Sequence, residues 1–545
     1  MKKFLLFLFI TISYAQGQEH AWVYFKDKPD VSVYTNNPTK MLSARALERR
    51  AKQNIALDER DVPVDTNYIL EVANSEDIAL KATSKWLNAV HVFGSETAIF
   101  KLLNLTFVAS IQFASKNVET TSLKVTSQNK VSKINKVQNQ FEYAYGAAEN
   151  QIKMIGADMF HNLGYQGQGM QIAILDLGFS GVKTANAFGH LLDSNLENGE
   201  ILGGYDFVHS NNNFYRATET GVTHGTQVLS TIAAIKENEF VGTAPKASFY
   251  LFVTEDDTSE TPLEESLWVQ AAERADSLGV DIINSSLGYY EFDEDKYNYS
   301  YEDMDGETTF ITKGANIAIE KGMLLVNSIG NSGNNTWKYL IAPADAKNSI
   351  AVGAVAKNES LASFSSFGPT ADERIKPETL ACGESVYVVN ENNEVVLTNG
   401  TSFSSPIVAG TVACLWQAYP KATNLDIRQM IIEHSENFYE PTDQGGYGIL
   451  RIESLASELL KTKLEYPFYI TTFHNGNVIG FYFYNEEEPQ ELKVQVFSVL
   501  GNVLVDKKIT PIDNLIQLNN YASGIYYLRY QFEGNNELMT LIKGE

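Results

Sequence analysis

The chain is built around one segment, which reads GTSFSSPIVAG from Gly400 to Gly410. Small residues at its start indicate a turn, and the apolar run from Ile407 to Trp416 that follows is typical of a buried helix. Pro406 comes just before this run, where a helix does not need the N–H that proline lacks. We therefore expect Ser402 to lie at a helix N-terminus, where unpaired amides and the helix dipole stabilise negative charge.

A serine at such a position has two alternative roles. The more common role is that of an N-cap, whose hydroxyl accepts a hydrogen bond from the first turn. The other is that of a nucleophile, whose tetrahedral intermediate is stabilised by the helix amides. A nucleophile needs a base and a group that orients the base, so the rest of the chain must supply both.

Composition and charge limit the classes of function. With 545 residues the chain is too long for one ordinary domain, and its formal net charge of −25 argues against a nucleic-acid partner. The only cysteines, Cys382 and Cys414, are compatible with one disulfide and at least as well with two free core thiols. Neither C-x-x-C nor H-E-x-x-H occurs, so we expect no zinc site.

The N-terminus has the pattern of a secretory signal peptide. Two lysines, Lys2 and Lys3, precede an apolar run from Phe4 to Ile12, and small residues around Ala15 follow. The apolar run is too short to span a bilayer, and no other segment of the sequence has the length of a transmembrane helix. We predict a signal peptide over residues 1–18 and a secreted or cell-surface protein without a membrane span.

The region after the signal peptide, residues 19–115, is predicted to be a small α+β unit. Its basic helix is typical of a solvated surface, although it could also dock on an acidic partner. Residues 116–144 are rich in Lys, Ser, Thr, Asn and Gln without apolar periodicity, which predicts an exposed linker that proteases can cut. The predicted elements of the α+β unit are strands at Ala21–Lys28, Tyr68–Val72 and Ala98–Leu102 and the basic helix at Ser43–Lys52.

Residues 145–462 alternate apolar strands with helices, which predicts an α/β domain with a doubly wound parallel sheet. In such sheets, sites form at the carboxyl ends of the strands. Residues 466–545 instead show short alternating strands with frequent turns, which predicts a small β-sandwich. The strands predicted for the sheet include Gln171–Leu175, Phe249–Val253, Val280–Asn284 and Met323–Asn327, and the helices include Leu263–Leu278 and Ala315–Lys321.

Three polar residues occur where a wound sheet forms its sites. Asp176 ends a strand, His224 opens an apolar helix, and Asn331 follows a strand within a Gly-Asn turn. Each has an ordinary explanation by itself, as a turn-capping acid, a structural histidine or a common turn residue. Together with Ser402 they supply an acid, a base, an amide donor for an oxyanion and a nucleophile.

In this order the residues resemble the subtilisin-like serine peptidases, or subtilases. The resemblance covers roughly residues 145–462 and implies a subtilisin-like α/β fold and a serine endopeptidase that acts through an acyl-enzyme. It rests on five ordered motifs, which are ILDLG at Ile174–Gly178, HGTQV at His224–Val228 with GTAP at Gly242–Pro245, NSSLG at Asn284–Gly288, Gly330-Asn331, and GTSFSSP at Gly400–Pro406.

The resemblance implies a role for each catalytic residue. Ser402 would attack the scissile carbonyl, His224 would take and return the proton, and Asp176 would orient the imidazole. Asn331 and the Ser402 amide would form the oxyanion hole. Two departures accompany the motifs: Leu177 replaces the usual small hydroxyl residue, and Phe403-Ser404 replaces the usual Met-Ala.

The resemblance also implies how substrate binds. Ser286, Leu287 and Gly288 would form the edge strand that pairs with an extended peptide. The primary specificity pocket would involve these residues and Leu340-Ile341, which suggests an apolar or aromatic preference. No cofactor or metal ligand is assigned, and a structural calcium ion stays open. The acidic, tyrosine-rich stretch Tyr289–Thr312 is most simply a solvated loop, with calcium or a basic substrate as its alternative ligands.

The flanking regions resemble accessory domains of secreted subtilases. Residues 19–115 resemble an inhibitory propeptide, which suits a parallel sheet because its long-range pairing forms slowly. Residues 466–545 resemble the C-terminal sorting domain of type IX secretion, with matches at Val496-Phe497, Ser523–Tyr527 and Leu541–Lys543. A carbohydrate- or protein-binding β-domain is the alternative for this last region.

The leading hypothesis is therefore a secreted serine endopeptidase that is made as an autoprocessed precursor and exported via the periplasm. Its expected partners are protein or peptide substrates, its own propeptide and the secretion machinery. The alternative hypothesis is a secreted binding protein on a catalytically inert subtilase scaffold.

Overall fold

A computed structural model describes residues 17–117, 143–192, 199–216, 222–463, 468–473, 478–483, 492–510, 515–532 and 535–543. Most of the predicted signal peptide (1–18) and most of the predicted linker (116–144) lie outside these residues. Within the described ranges, no helix is long and apolar enough to cross a membrane. The same ranges contain no group of three or more His, Cys, Asp or Glu side chains arranged to hold a metal ion.

The N-terminal unit is a four-stranded antiparallel sheet in the order β2-β3-β1-β4, with helices packed on it. Its apolar face is formed by side chains such as Val23, Val92 and Ile111. The elements are β1 (Gln18–Phe25), α1 (Val31–Thr35), α2 (Ala44–Lys52), α3 (Thr66–Ala73), β2 (Ile78–Ser84), β3 (Ala89–Ser95), α4 (Glu96–Lys101) and β4 (Val108–Phe113).

Two predicted strands of this unit, Tyr68–Val72 and Ala98–Leu102, are wrong because these segments lie in α3 and α4. The side chain of Asp65 accepts hydrogen bonds from the first-turn amides of α3, and Ser95 caps α4 in the same way. A capped first turn favours helix over strand in short apolar segments whose spacing fits either structure.

The central domain confirms the predicted α/β class. The seven strands of its main sheet are all parallel, in the order β13-β12-β11-β10-β5-β9-β6. These strands are β5 (Gln171–Asp176), β6 (Ile201–Asp206), β9 (Ser248–Val253), β10 (Ile282–Ser285), β11 (Leu324–Ser328), β12 (Ile350–Val355) and β13 (Thr379–Cys382). Two separate antiparallel pairs are formed by β7 (Ile235–Lys236) with β8 (Phe240–Val241) and by β14 (Val386–Val389) with β15 (Val395–Thr398).

Helices cover the two faces of this sheet, and the large apolar core lies between them and the strands. They are α5 (Glu149–Lys153), α6 (Ala157–Asn162), α7 (Gly189–Leu192), α8 (His224–Ala233), α9 (Pro262–Leu278), α10 (Phe310–Glu320), α11 (Thr401–Ala418), α12 (Asn424–Glu433) and α13 (Glu453–Lys463). Cys382 and Cys414 are both buried and free, so the alternative of two core thiols is the one observed.

The register of the sheet brings the carboxyl ends of four strands to one edge. Asp176, the last residue of β5, is paired with Val253 at the end of β9. Ser285, the last residue of β10, is paired with Leu175 on one side and Asn327 on the other. The residues that follow these strands therefore meet at the same edge, as expected for a site in a wound sheet.

The central helix α11 begins earlier than the apolar pattern indicated. It starts at Thr401, so Pro406 lies inside the helix rather than at its first turn. Proline cannot donate to the carbonyl four residues before it, which here is that of Ser402. The Ser286 hydroxyl donates to this carbonyl instead, at 2.9 Å, so the backbone group that proline leaves unpaired is satisfied by another element.

The C-terminal region is β-rich, as predicted, and its described strands form two small antiparallel sheets in the orders β16-β17-β20 and β19-β18-β21-β22. Alternate residues of β18, including Val494 and Val496, face the apolar core. The strands are β16 (Phe468–Phe473), β17 (Val478–Phe483), β18 (Leu492–Ser498), β19 (Val503–Ile509), β20 (Leu515–Gln517), β21 (Gly524–Phe532) and β22 (Asn535–Lys543).

The N-terminal unit docks on the central domain through α9 and α10. Trp22 of β1 donates to the Ser266 hydroxyl at 2.8 Å and stacks on Phe310, with ring centroids 4.4 Å apart. The basic helix α2 is not a solvated face: Arg49 and Arg50 are buried against Asp276 of α9. The sequence left docking on an acidic partner as the alternative, and that partner is the central domain of the same chain.

The acidic stretch Tyr289–Thr312 is likewise not a simple solvated loop. Phe292, Tyr297 and Met304 are buried in the core that α9 and α10 share. Lys296 of this stretch forms an ion pair with Glu19 at 3.1 Å. The stretch therefore forms part of the surface on which the N-terminal unit docks.

Candidate active site

Asp176 and His224 form the central pair of the site. The imidazole Nδ1 lies 2.8 Å from Asp176 Oδ1, which also accepts the Leu177 amide at 2.8 Å. Burial lowers the pKa of His224, but the charge and hydrogen bond of Asp176, with the charge of Glu255, raise this pKa above its ordinary value. The carboxylate thus fixes the ring orientation and stabilises the imidazolium, which a general base requires.

Ser402 is the second residue of α11 and makes a reciprocal contact with Ser286. Its hydroxyl donates to the Ser286 carbonyl at 3.1 Å, while the Ser286 hydroxyl donates to the Ser402 carbonyl. Gly400 occupies the N-cap position, so Ser402 is not the N-cap. Among the residues that the structure describes, no hydrogen bond joins Ser402 to His224, although the next residue, Phe403, places its ring 5.6 Å from the imidazole centroid.

Asn331 lies beside the start of α11 with its side chain held in one orientation. Its Oδ1 accepts hydrogen bonds from the Thr401 amide at 2.9 Å and the Thr401 hydroxyl at 3.0 Å. Because the oxygen is occupied, the Asn331 NH2 group is the part that can donate to a ligand. The side chain is exposed and Gly330 before it has a φ of +111°, which a residue with a Cβ rarely adopts.

The predicted substrate strand, Ser286, Leu287 and Gly288, follows β10 at the same edge. The Ser286 hydroxyl is held in place by Asn284, whose side-chain amide donates to it at 3.1 Å. A Cβ at Gly288 would lie 2.6 Å from the Ala342 carbonyl and 2.9 Å from Ile341. Only glycine fits this close approach, so Gly288 allows the strand to pack directly on the Leu340-Ile341 segment.

A cleft of about 440 Å³ opens beside the Asp–His pair and is lined by Asp176, Leu177, His224, Ser286 and Leu287 on two of its walls. The third wall follows β9 and is acidic, and the sequence analysis did not assign it a role. It carries Glu255, Asp256, Asp257, Glu260 and Glu264, with Asp293 from the acidic stretch. The signal was available, because Thr254-Glu255-Asp256-Asp257 directly follows an apolar strand, as Asp176 does.

Glu255, Glu260 and Glu264 of this wall have raised pKa values, whereas the pKa of Asp256 is lowered because its burial is outweighed by hydrogen bonds from Thr258 and Ser259 and by the charge of Arg216. Burial raises the pKa of Glu255 to about 7, with the Asp176 charge adding to the effect and hydrogen bonds from Tyr289 and Thr254 opposing it. Burial and the charges of neighbouring acids raise the pKa of Glu260 to about 8 and that of Glu264 to about 10. The main cause of each of these raised pKa values is burial, which disfavours the charged form of a carboxylate.

The parallel sheet and its polar edge, with a serine at a helix start and an imidazole held by a carboxylate, define a serine-type hydrolase of the α/β class. Residues 167–451 match the Subtilase family, which is more than half of the chain, so the protein belongs to the Subtilase family. Residues 20–133 match the Peptidase S8 propeptide domain of Bacteroidota. Of the three resemblances drawn from the sequence, those to subtilases and to a subtilase propeptide are confirmed: the protein is a serine endopeptidase made as a precursor with a propeptide.

Individual relatives are bacterial subtilisins. Subtilisin DY of Bacillus licheniformis is 29% identical over 307 residues, which is 56% of this chain and 97% of that protein. Subtilisin NAT of Bacillus subtilis subsp. natto is also 29% identical, over 56% of this chain and 70% of that protein. A solved structure titled as a cold adapted subtilisin-like serine proteinase is similar with a TM-score of 0.41 and 22% identity, over 53% of this chain and 91% of that one.

Proposed function

We propose that this subtilase is a secreted endopeptidase in which Ser402, His224 and Asp176 form the catalytic triad. The observation that carries the proposal is the 2.8 Å contact between His224 and Asp176 at the sheet edge where α11 starts with Ser402 in its first turn. An imidazole oriented by a buried carboxylate is the base that a serine nucleophile needs.

The reaction begins when the Ser402 hydroxyl leaves the Ser286 carbonyl and donates to His224. As Ser402 Oγ attacks the peptide carbonyl, His224 takes its proton, and Asp176 stabilises the imidazolium without itself accepting a proton. His224 then protonates the leaving amine, and an acyl-enzyme on Ser402 remains. Water, activated by His224, hydrolyses the acyl-enzyme and regenerates the hydroxyl.

The negative charge of the tetrahedral intermediate is assigned to two donors, the Asn331 NH2 group and the Ser402 amide. The orientation that Thr401 imposes on Asn331 supports this role. Loss of one such donor costs about 3 kcal/mol of transition-state stabilisation, a value measured on a subtilisin. An extended substrate would pair with Ser286, Leu287 and Gly288, which hold its scissile carbonyl next to Ser402.

The domain boundaries of the precursor follow the sequence: a signal peptide (1–18), a propeptide (19–115), a cleaved linker (116–144), the peptidase domain (145–462) and a sorting domain (466–545). The propeptide match and the two C-terminal antiparallel sheets support this order of units, although the match extends past residue 115 to residue 133. Export through the periplasm and recognition of the last domain by type IX secretion machinery are parts of the same proposal. No cofactor is required for the chemistry, since each step uses side chains of this chain, and a structural calcium ion is a separate question for metal analysis of the purified protein.

The triad is tested with Ser402→Ala and a matched control, Ser360→Ala, which removes an exposed hydroxyl from the same domain. We expect Ser402→Ala to lose at least about 10⁴-fold in kcat/KM, to stay unprocessed and not to react with a fluorophosphonate probe. The control should mature and react normally. Undiminished hydrolysis by Ser402→Ala would refute the triad, and a matured wild-type protein that neither reacts nor hydrolyses peptides would favour the inert binding scaffold.

A further inference from the structure

The acidic wall lies beside the Asp–His pair, and His224 is the only basic side chain among the described residues that line the cleft. None of the residues that line the cleft in the described part of the chain is a lysine or arginine. Arg216 is close by, but its guanidinium is held by Asp206 and donates to the Glu255 main-chain carbonyl, not to the carboxylate. Asp176 is one of the lining residues and is buried, and its second oxygen, Oδ2, has no hydrogen-bond partner among the described residues.

Glu255 is the acid of this wall whose position is best defined. It follows the end of β9, the strand whose last residue pairs with Asp176. Its Oε1 accepts the Tyr289 hydroxyl at 2.6 Å and the Thr254 hydroxyl at 2.9 Å. Tyr289 is itself buried and joined to Ala342 by two backbone hydrogen bonds. The carboxylate is therefore held beside the Asp–His pair instead of moving freely with an exposed side chain.

The other side of the substrate strand is apolar. A Cβ at Gly288 or at Gly330 would meet Ile341, at 2.9 Å and 3.3 Å respectively, so the Ile341 side chain lies between these two glycines. Leu340 beside it is fully buried. This is the region in which the side chain of the scissile residue would lie, next to Asn331.

The acidic wall and the apolar region around Ile341 would contact different residues of one bound peptide, because successive side chains of an extended strand point in opposite directions. If the scissile residue faces Ile341, the residue before it faces His224 and Glu255. We propose that the cleft selects peptides with lysine or arginine directly before an apolar scissile residue, with Glu255 as the main partner of the basic side chain. This inference rests on the triad proposed above, which fixes where the scissile carbonyl lies.

The electrostatics of the wall support a basic ligand. Isolated buried carboxylates are costly to ionise, and a cation nearby favours their charged form. A lysine or arginine side chain placed beside Glu255 and Glu260 would therefore bind more strongly than in water, since both partners are partly removed from solvent. An acidic side chain at the same position would add to the existing repulsion.

The precursor contains this basic and apolar pair repeatedly in the stretch before its peptidase domain, where the propeptide match ends at residue 133. Lysine is followed directly by valine or isoleucine four times within residues 120–140, at Lys124-Val125, Lys130-Val131, Lys133-Ile134 and Lys136-Val137. The same 21 residues contain no aspartate or glutamate. These residues lie outside the described part of the chain, and the pattern is one of sequence alone. It makes this segment a suitable first substrate of the enzyme itself.

The test uses matured enzyme and three quenched peptides that share a valine at the scissile position and differ only before it, with Lys, Met or Glu. We expect kcat/KM to fall in the order Lys, Met, Glu, with Lys favoured over Met by about 10- to 100-fold. Glu255→Gln should bring the Lys-to-Met ratio within about threefold of unity, whereas the exposed control Glu237→Gln should keep the wild-type ratio.

The outcomes separate this inference from the proposed function. If wild-type enzyme reacts with a fluorophosphonate and cleaves the Lys and Met peptides equally, the inference is wrong and the triad stands. If it neither reacts nor cleaves any peptide, both fail. Should Glu255→Gln not mature, Glu260→Gln and the wild-type peptide series decide the question without it.

A second measurement uses the precursor directly. We expect the matured protein to begin at Thr126, Ser132, Asn135 or Gln138, each of which follows one of the basic and apolar pairs. The Ser402→Ala precursor should stay uncut under the same conditions. A mature N-terminus elsewhere in the linker, made by the wild-type enzyme acting on itself, would contradict the inference.

Discussion

Two acidic regions of the peptidase domain differ in how their charges are balanced. On α9, Asp276 is buried against Arg49 and Arg50 of the propeptide helix α2, with Arg50 at 2.8 Å. In the cleft, Glu255 and its neighbours meet no lysine or arginine among the described lining residues. The first region receives its cations from the N-terminal unit of the same chain, and the second does not.

The pKa values reflect this difference. Although burial raises the pKa of Asp276, the charges of Arg49 and Arg50 bring it below its ordinary value. Burial and the Asp176 charge raise the pKa of Glu255 to about 7, with His224 as the nearest balancing charge. A buried acid with a cation is part of a stable interface, whereas a partly buried acid without a lysine or arginine is costly to ionise, and a cation from outside would lower that cost.

The largest loss of stability is expected when a cation is removed from the buried ion pairs around Asp276. Arg50→Ala would leave Asp276 and Asp61, which Arg50 contacts at 2.8 Å and 2.9 Å, with fewer partners in a buried site. Removing one partner of a buried ion pair typically costs about 3–5 kcal/mol. We expect the Ser402→Ala precursor to lose that much stability in chemical denaturation. Lys52→Ala, which removes an exposed ion pair from the same helix, should change it by less than about 1 kcal/mol.

Low pH should weaken the interface between the N-terminal unit and the central domain, because its buried histidines become protonated. Burial, with the charges of Lys81 and Lys296, lowers the pKa of His20 to about 4, and its Nδ1 lies 2.9 Å from His91 Nε2. A histidine with a lowered pKa stabilises the docked state while neutral. Its contribution is therefore complete above about pH 6.5 and is lost as the pH falls through about 4.

The expected loss from His20 is about 3 kcal/mol at low pH, measured as stability of the Ser402→Ala precursor against pH. His20→Gln should flatten this pH dependence. His434→Gln, which lies just after α12, should leave it unchanged. An equally steep acid loss in His20→Gln would show that other groups release the propeptide.

Removing the Glu255 charge from the cleft should increase the stability of the precursor, whereas removing Arg50 should decrease it. An acid with a raised pKa destabilises the fold once it ionises, so the contribution of Glu255 to stability is lost as the pH rises from about 4.5 through about 7. Glu255→Gln keeps the acceptor for Tyr289 and should stabilise the Ser402→Ala precursor at pH 8 by about 1–2 kcal/mol, with little effect at pH 4. Asp276→Asn should destabilise it at both pH values.

The smallest loss of stability is expected at the Arg45–Asp281 ion pair, at the exposed edge of the interface between α2 and the central domain. Arg45 forms an ion pair with Asp281, but its side chain is 36% exposed. We expect Arg45→Ala to cost less than about 1 kcal/mol in the same denaturation experiment, because solvent screens the pair. A loss as large as that of Arg50→Ala would show that burial is not what distinguishes the two arginines.

Much of the fold and the site could be predicted because their signals are local. The predicted strands of the parallel sheet are largely apolar runs, and Asp176, His224 and Ser402 lie in short motifs at strand ends or helix starts. Short, isolated segments were predicted less well. Tyr68–Val72 and Ala98–Leu102 are helices because single capping side chains decide their conformation. Helix α11 begins before Pro406 because Ser286, from a distant part of the chain, satisfies the carbonyl that proline leaves unpaired.

Sequence alone was enough to indicate a subtilase with a propeptide, since the triad chemistry needs particular residue types, and their chain order and short motifs are those of that family. It did not show which of the many acids are paired. Arg50 and Asp276 are 226 positions apart in the chain, and whether they meet depends on how the two units dock. Coulomb energy depends on distance through space and on burial, so only the tertiary structure distinguishes the acids that the N-terminal unit neutralises from those that line the cleft.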